Sequence, residues 1–337
     1  MKDRRRTRGN RSFCREGGFL ECKVYRVRIE EIISKDRYSP TFCPKLEGLS
    51  ASIKEIGQIA PVILREGSNG WEVVCGLKRV MVLERMNSEV KAILFSNKEL
   101  PPDKAVRISI GHNVWNKMNI IEKSHAVLKL EKEGVSINEI VKLWLPLLGM
   151  GPRREVFEVL KNIARLPHDL KTYIAYKDLS FSSAAYFTYF KDEELNDLTQ
   201  LLFHLKLSEN KIKEILEFIQ HICLKEGVEV STLINESKHI WEAPFLTPTE
   251  RTEKFREWLR KRRYPYFQSI QNKFREITSR LGLSPEILKP PLFFEGEEYT
   301  VSFQFKNRDE FLKFVKMLET AAKNLAELPG DPFKELV

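Results

Sequence analysis

The sequence predicts an α+β multidomain chain: a small α/β domain first, an all-helical middle, and a small C-terminal α+β unit. Three observations carry that prediction. Residues 23–100 alternate short β-patterned runs with helical periods. Residues 103–240 read as one helical period after another, punctuated by Pro and Gly. Beyond Pro244 and Pro248 come a basic helix, a second helix, a Pro-rich turn, one strand and a last helix. With 337 residues, 42% of them hydrophobic, the chain has material for two or three cores.

The first domain is expected over residues 23–110. Val24 to Ile29 alternates like a strand. From Lys45 to Ile56 the apolar residues Leu46, Leu49, Ile53 and Ile56 have helical spacing, and Gly57 is the natural stop. Pro61–Arg65 and Trp71–Cys75 read as strands joined by the turn Glu66-Gly-Ser-Asn-Gly70. A helix follows from Leu77 to Met86, then a strand at Val90–Phe95.

Between the second hairpin strand and the helix stands Gly76-Leu-Lys-Arg79. Cations in the first turn oppose the helix dipole, at about 0.3–1 kcal/mol each. Two readings explain Lys78 and Arg79. Strand, glycine and helix start together make a concave set of N–H donors, a common anion site, and an anion there makes both cations favourable. Alternatively, both side chains lie on the surface.

These motifs resemble the N-terminal domain of ParB-type partition proteins, which shares a fold with sulfiredoxin. Ser52-Ile-Lys-Glu-Ile-Gly57 through Pro61-Val-Ile-Leu-Arg65 is similar to the family's pattern before the hairpin. Gly76-Leu-Lys-Arg79 corresponds to its phosphate box, with Leu77 in place of an acid and Lys78 in place of an arginine. His112-Asn-Val-Trp-Asn116 and Asn119-x-x-Glu122 resemble its second phosphate segment, where Asn113 is kept while His112 and Trp115 depart. In the first loop Thr41 follows Pro40, where many members carry arginine. The resemblance implies CTP, with Mg2+, at Gly76, Lys78, Arg79 and Asn113, and at most a weak CTPase. The departures weigh against hydrolysis.

The middle domain is expected over 111–240. Val135 to Trp144, with Ser136 as N-cap, and Arg153 to Leu166 read as a helix-turn-helix over 135–166 with a long Pro/Gly turn. Pro146 with Gly149-Met-Gly-Pro152 is expected to break the first helix from the second. The second helix puts Val156, Val159, Leu160 and Ile163 on one face, with Arg153, Arg154 and Lys161 elsewhere, available to DNA. An ordinary helical hairpin is the alternative, but the resemblance places a helix-turn-helix at this position. The aromatic group from Tyr173 to Phe190 reads as bundle core rather than a base-stacking platform.

A linker and basic helix are expected over 241–263. Its Arg260, Lys261, Arg262 and Arg263 are candidate phosphate contacts, while Phe255, Trp258 and Leu259 face a core. The segment 264–337 carries the strand Glu298–Phe305 and the helix Arg308–Leu328, which faintly resemble the family's dimerisation unit. Residues 1–22, with seven cations before residue 16, read as a disordered basic arm able to contact phosphates or, alternatively, as a solvated tail.

A net charge of +9 fits a polyanionic partner. The five cysteines show no C-x-x-C and no signal peptide precedes them, which suggests reduced thiols in the cytoplasm, at the nucleoid. No metal site and no membrane span are expected. The leading expectation is a dimeric DNA-binding protein of partition type, chromosomal or plasmid, with duplex DNA and a partition ATPase as partners. The alternatives are a nuclease or another phosphate-chemistry enzyme, in which Cys75 could serve redox chemistry, and a regulator or scaffold without nucleotide.

Overall fold

The computed structural model describes residues 23–294, 296 and 298–336, so the basic arm expected over 1–22 lies outside the described residues. The described residues form two compact units, which divide between Thr199 and Gln200.

The first unit is built on a mixed five-stranded sheet. Its strands are β1 (Val24–Val27), β2 (Ile32–Ser34), β3 (Val62–Glu66), β4 (Trp71–Cys75) and β5 (Val90–Phe95), in the order β1-β5-β3-β4-β2. The β1–β5 and β3–β4 pairs are antiparallel, while β3–β5 and β2–β4 are parallel. Helices α1 (Glu47–Ile56) and α2 (Leu77–Arg85) are joined to the sheet by a core of Leu46, Ile53, Val62, Leu64, Val73, Val80 and Leu83. The four residues Glu72–Cys75 are all buried, as befits a strand covered on both faces.

Two details differ from the expectation. The first strand ends at Val27, because Ile29–Glu31 turn as a short 3-10 segment. That turn delivers Ile32–Ser34 as a parallel edge strand on β4. Three residues are too few for an alternation to be read.

The helices then follow closely: α3 (Pro102–Val114), α4 (Ile120–Lys132), α5 (Ile137–Glu139), a π-helical stretch (Ile140–Trp144), α6 (Leu145–Leu147), α7 (Arg154–Arg165), α8 (His168–Tyr176) and α9 (Phe181–Tyr186). Pro146 does not break its helix. It cannot donate to the Lys142 carbonyl, and the π-helical stretch beginning six residues earlier absorbs the mismatch. The helix stops instead near Gly149, at φ +70°. On α7 the buried face is Val156, Phe157, Leu160, Ile163 and Ala164, so Phe157 takes the core position expected of Val159. The aromatic group divides: Tyr173, Phe187 and Phe190 are core, whereas Tyr176 and Tyr189 are exposed.

Helix α10 (Asp192–His204) carries the chain into the second unit. There follow α11 (Glu209–Glu226), α12 (Val230–Glu236), α13 (Lys238–Trp241), α14 (Pro248–Arg263) and α15 (Pro265–Leu281). Thr247 and Glu250 form a capping box around Pro248, which starts α14 ahead of its basic run. The strand expected over 298–305 is only β7 (Thr300–Val301), paired with β6 (Leu288–Lys289). After it, Phe303 and Phe305 pack on Phe311 and Phe314 of α16 (Arg308–Glu327).

Candidate functional site

Gly76 caps α2 at φ +96°, a conformation that side chains disfavour. A Cβ there would lie 2.7 Å from Cγ1 of Val62, so the backbone passes too close to β3 for any other residue. Lys78 is exposed in the first turn. Arg79 is not: it folds back, and its Nη1 donates to the carbonyls of Ala60 and Pro61 at 2.7 Å each. The guanidinium thus binds two peptide dipoles of the loop after α1, which accounts for a cation at this end of a helix. Burial pulls its pKa down, and only the nearby Cys75 opposes that. The loop itself is pinned by buried Gln58, whose amide donates to Lys91 O at 2.7 Å and accepts from Lys91 N at 2.7 Å.

Cys75 ends β4 beneath this corner, with its Sγ 3.9 Å from the Ile108 carbonyl of α3. Burial pushes its thiol up to about 11 against the smaller pull of Arg79. A buried, protonated thiol is a poor nucleophile, which weighs against the redox reading. Asn113 lies further along α3 and donates to its own helix, Nδ2 to Ser109 O at 2.8 Å. Asn119 and Glu122 form the capping box of α4, and Glu122 also accepts from Phe42 N of the first loop at 3.3 Å. Trp115 is 92% exposed.

A polar network that the sequence reading passed over lies behind the corner. Arg65 is 2% exposed, and Glu72 stands directly across the hairpin from it. Arg65 donates to Glu72, to Asn97, to Leu100 O at 2.9 Å and to the Tyr38 hydroxyl at 2.7 Å. Glu72 further accepts from Tyr38 at 2.7 Å and from Arg37 at 3.0 Å. Arg37 in turn forks onto Glu133, at 2.9 and 3.0 Å. The chain from β3 through the first loop to the end of α4 therefore joins sheet and helices. A cation and an anion placed symmetrically about the turn 67–70 were the available signal.

The candidate DNA contacts separate into two groups. Arg153 and Arg154 are exposed at the start of α7, after the connection 148–153. Among the described residues Arg154 has only a loose partner, Glu158 at 3.9 Å. Lys161 is different: it is largely covered, pairs with Glu131 at 2.8 Å and lies over the Phe157 ring. Its role is to hold α7 on α4, which corrects its placement among free cations.

The basic helix needs a similar correction. Arg256 and Arg260 share Glu214 of α11, at 2.6 and 2.7 Å. Arg262 is clasped by Glu226 and Glu236 and lies 5.4 Å from the Trp258 ring centre. Lys261 pairs with Glu257 at 2.7 Å. Arg263 stacks on Phe218 and Tyr264 with its Nε buried and without a hydrogen bond. The face that looks strongly positive in the sequence is thus largely compensated by carboxylates 26–46 residues away along the chain.

Among the described residues no group of three or more His, Cys, Asp or Glu is placed to hold a metal ion, and no helix is long and apolar enough to cross a membrane.

Residues 19–114 match the family model of the ParB N-terminal domain. Solved structures that resemble the chain include two of a chromosome-partitioning protein. One is the C-terminally truncated chromosome-partitioning protein ParB from Caulobacter crescentus complexed to the centromeric parS site, with 16% identity over 57% of this chain and 98% of that one, at a TM-score of 0.32. The other is the same truncated protein complexed with CTP-gamma-S, with 21% identity over 50% and 94%, at a TM-score of 0.25. No curated protein matches the chain. Residues 19–114, whose sheet and glycine corner are described above, thus carry a ParB N-terminal domain.

Proposed function

We propose that the chain is a DNA-binding protein of partition type that holds a nucleotide phosphate at the Gly76 corner. The observation that carries this is the corner itself: a left-handed glycine that admits no Cβ, opening a helix, with Lys78 exposed beside it, inside the matched domain. These residues fit a phosphate. Backbone N–H groups at the start of α2 and Lys78 would hold it, Arg79 would reach it on leaving the Ala60 and Pro61 carbonyls, and Asn113 would serve from α3. The family resemblance makes CTP with Mg2+ the candidate. A bound triphosphate supplies the negative charge that the helix dipole and both cations favour.

Duplex DNA is the proposed partner of the helix-turn-helix formed by 137–147 and α7, with Arg153 and Arg154 reaching the duplex. The protein is proposed to work as a homodimer. Helix α16 is 20 residues long yet buries only Ala321 among its described residues, while Phe305, Phe311 and Leu312 are 40–53% exposed. An apolar helix face beside a short exposed strand suits a two-fold contact. A partition ATPase is the further partner implied by the resemblance.

Calorimetric titration of CTP into the full chain, with and without duplex DNA, tests the nucleotide. Saturable heat that Arg79→Ala and Lys78→Ala both reduce is expected. A second reading has an observation of its own: Arg79 Nη1 and the Asn113 amide are already bonded to protein carbonyls. On that reading the chain binds DNA without a nucleotide. Absence of heat with any nucleotide, alongside salt-sensitive DNA binding, would establish it.

A further inference from the structure

The second unit contains a cleft of about 980 Å3, separate in the chain from the Gly76 corner. Its volume lies at the upper end of the range for small-molecule sites, about 300–1,000 Å3. Four lining residues follow one stripe of α15 and its cap: Tyr264, Gln268, Gln271 and Arg275, at steps of four, three and four. The stripe passes from an aromatic ring through two amides to a guanidinium. At a rise of about 1.5 Å per residue it is about 16 Å long.

The aromatic end is preorganised. Tyr264 meets Phe218 edge-on, with centroids 6.0 Å apart, and Arg263 lies against both rings. Gln268 donates to Gln271 at 3.1 Å, which orients both amides. Among the described residues the charge around the cleft does not balance. Arg256 and Arg260 share Glu214, and Arg256 and Lys211 share Glu253, so three cations meet two carboxylates. Glu257, the acid whose charge Arg275 feels, is already bonded to Lys261. One positive charge is therefore left over at each place, beside aromatic walls.

We infer that this cleft is a binding site for a small ligand that joins a flat aromatic ring to an anionic group, the ring lying against Tyr264 and Phe218 and the anion meeting Arg260 or Arg275. Stacking on aromatic faces and charge-assisted hydrogen bonds to guanidinium are the two chemistries on offer. A nucleotide phosphate and an aromatic carboxylate share that description.

The test uses the full chain and two fluorescent probes: 8-anilinonaphthalene-1-sulfonate, an aromatic anion, and N-phenyl-1-naphthylamine, the same ring system without the charge. One sulfonate probe per chain is expected, bound more tightly than its neutral counterpart. Arg260→Gln with Arg275→Gln should weaken the anionic probe by about tenfold, the scale of one charged hydrogen bond, and leave the neutral one nearly unchanged. Gln271→Trp, which fills the cleft from a half-exposed position, should displace both. Displacement of the anionic probe by AMP would point to phosphate, and by indole-3-acetate to carboxylate. Equal affinity for the two probes, indifference of the anionic probe to the arginine variants, or binding that survives Gln271→Trp would each overturn the assignment. Circular dichroism of each variant checks that the unit remains folded. Because these residues all lie beyond position 200, failure here leaves the proposal for the N-terminal domain untouched.

Discussion

Glu72→Gln is the perturbation with the largest expected effect on the first unit. The carboxylate is 6% exposed and accepts from Tyr38, Arg37 and Arg65, while Arg65 is itself buried. The amide keeps the shape but brings one acceptor and one donor group to a place where only donors converge. Arg65 would keep its bonds to Leu100, Asn97 and Tyr38 but lose its counter-charge. A buried ion pair broken on one side costs about 3–5 kcal/mol. The retained bonds put this case near 3 kcal/mol, a factor of about 150 in the opening equilibrium. The assay is native-state hydrogen exchange of the β3 and β4 amides, which reports the first unit separately from the second. Pairing Glu72→Gln with Arg65→Met should cost less than the sum of the singles, because the second change removes the stranded charge. Acid should mimic the variant. Burial pushes the Glu72 pKa up, but the bonds from Tyr38, Arg65 and Arg37 outweigh it and hold the group below the ordinary carboxylate range. Its contribution is thus present above the unfolded carboxylate pKa and is lost as pH falls through the lower folded value. Exchange in Glu72→Gln within about tenfold of the native chain would refute the account of Glu72 as the charge that makes a buried Arg65 tolerable.

Other outcomes are expected from the same structure. His125, half-buried beside Phe42 and near Lys171 and Lys129, is pushed down to about 4 by burial first and those cations second. The unfolded chain therefore binds the extra proton between about 6.5 and 4, so stability should fall with pH in that window and His125→Leu should flatten the slope in thermal unfolding. Gly76→Ala should destabilise the first unit by at least about 1–2 kcal/mol from the left-handed backbone alone, with more from the Val62 contact, and should weaken any CTP heat in calorimetry. Arg153→Ala and Arg154→Ala should each lower the salt slope of DNA binding by about 0.9 if they neutralise phosphates, whereas Lys161→Ala should lower stability and leave the slope alone. Phe311→Asp should shift the chain to a monomer in sedimentation equilibrium, and an unchanged mass would argue against α16 as the dimer face.

Much of the fold was legible from local pattern. The hairpin of β3 and β4 was readable because turn residues sit between two apolar runs, and α1 because its apolar spacing ends on a glycine. Gly76 was legible for the same reason: strand, glycine and helix start are neighbours in sequence, and the need for φ +96° is a local one. The sequence by itself also placed Arg153 and Arg154 at the exposed start of a helix. What only the tertiary structure decided is which charges are free. Arg79 spends two bonds on carbonyls 18 and 19 residues back, Lys161 meets Glu131, and the cations of α14 meet Glu214, Glu226 and Glu236. A charge is neutralised by whatever lies within a few ångströms of it, and for these residues the neighbours come from other elements, so a count along the chain overstates the positive face.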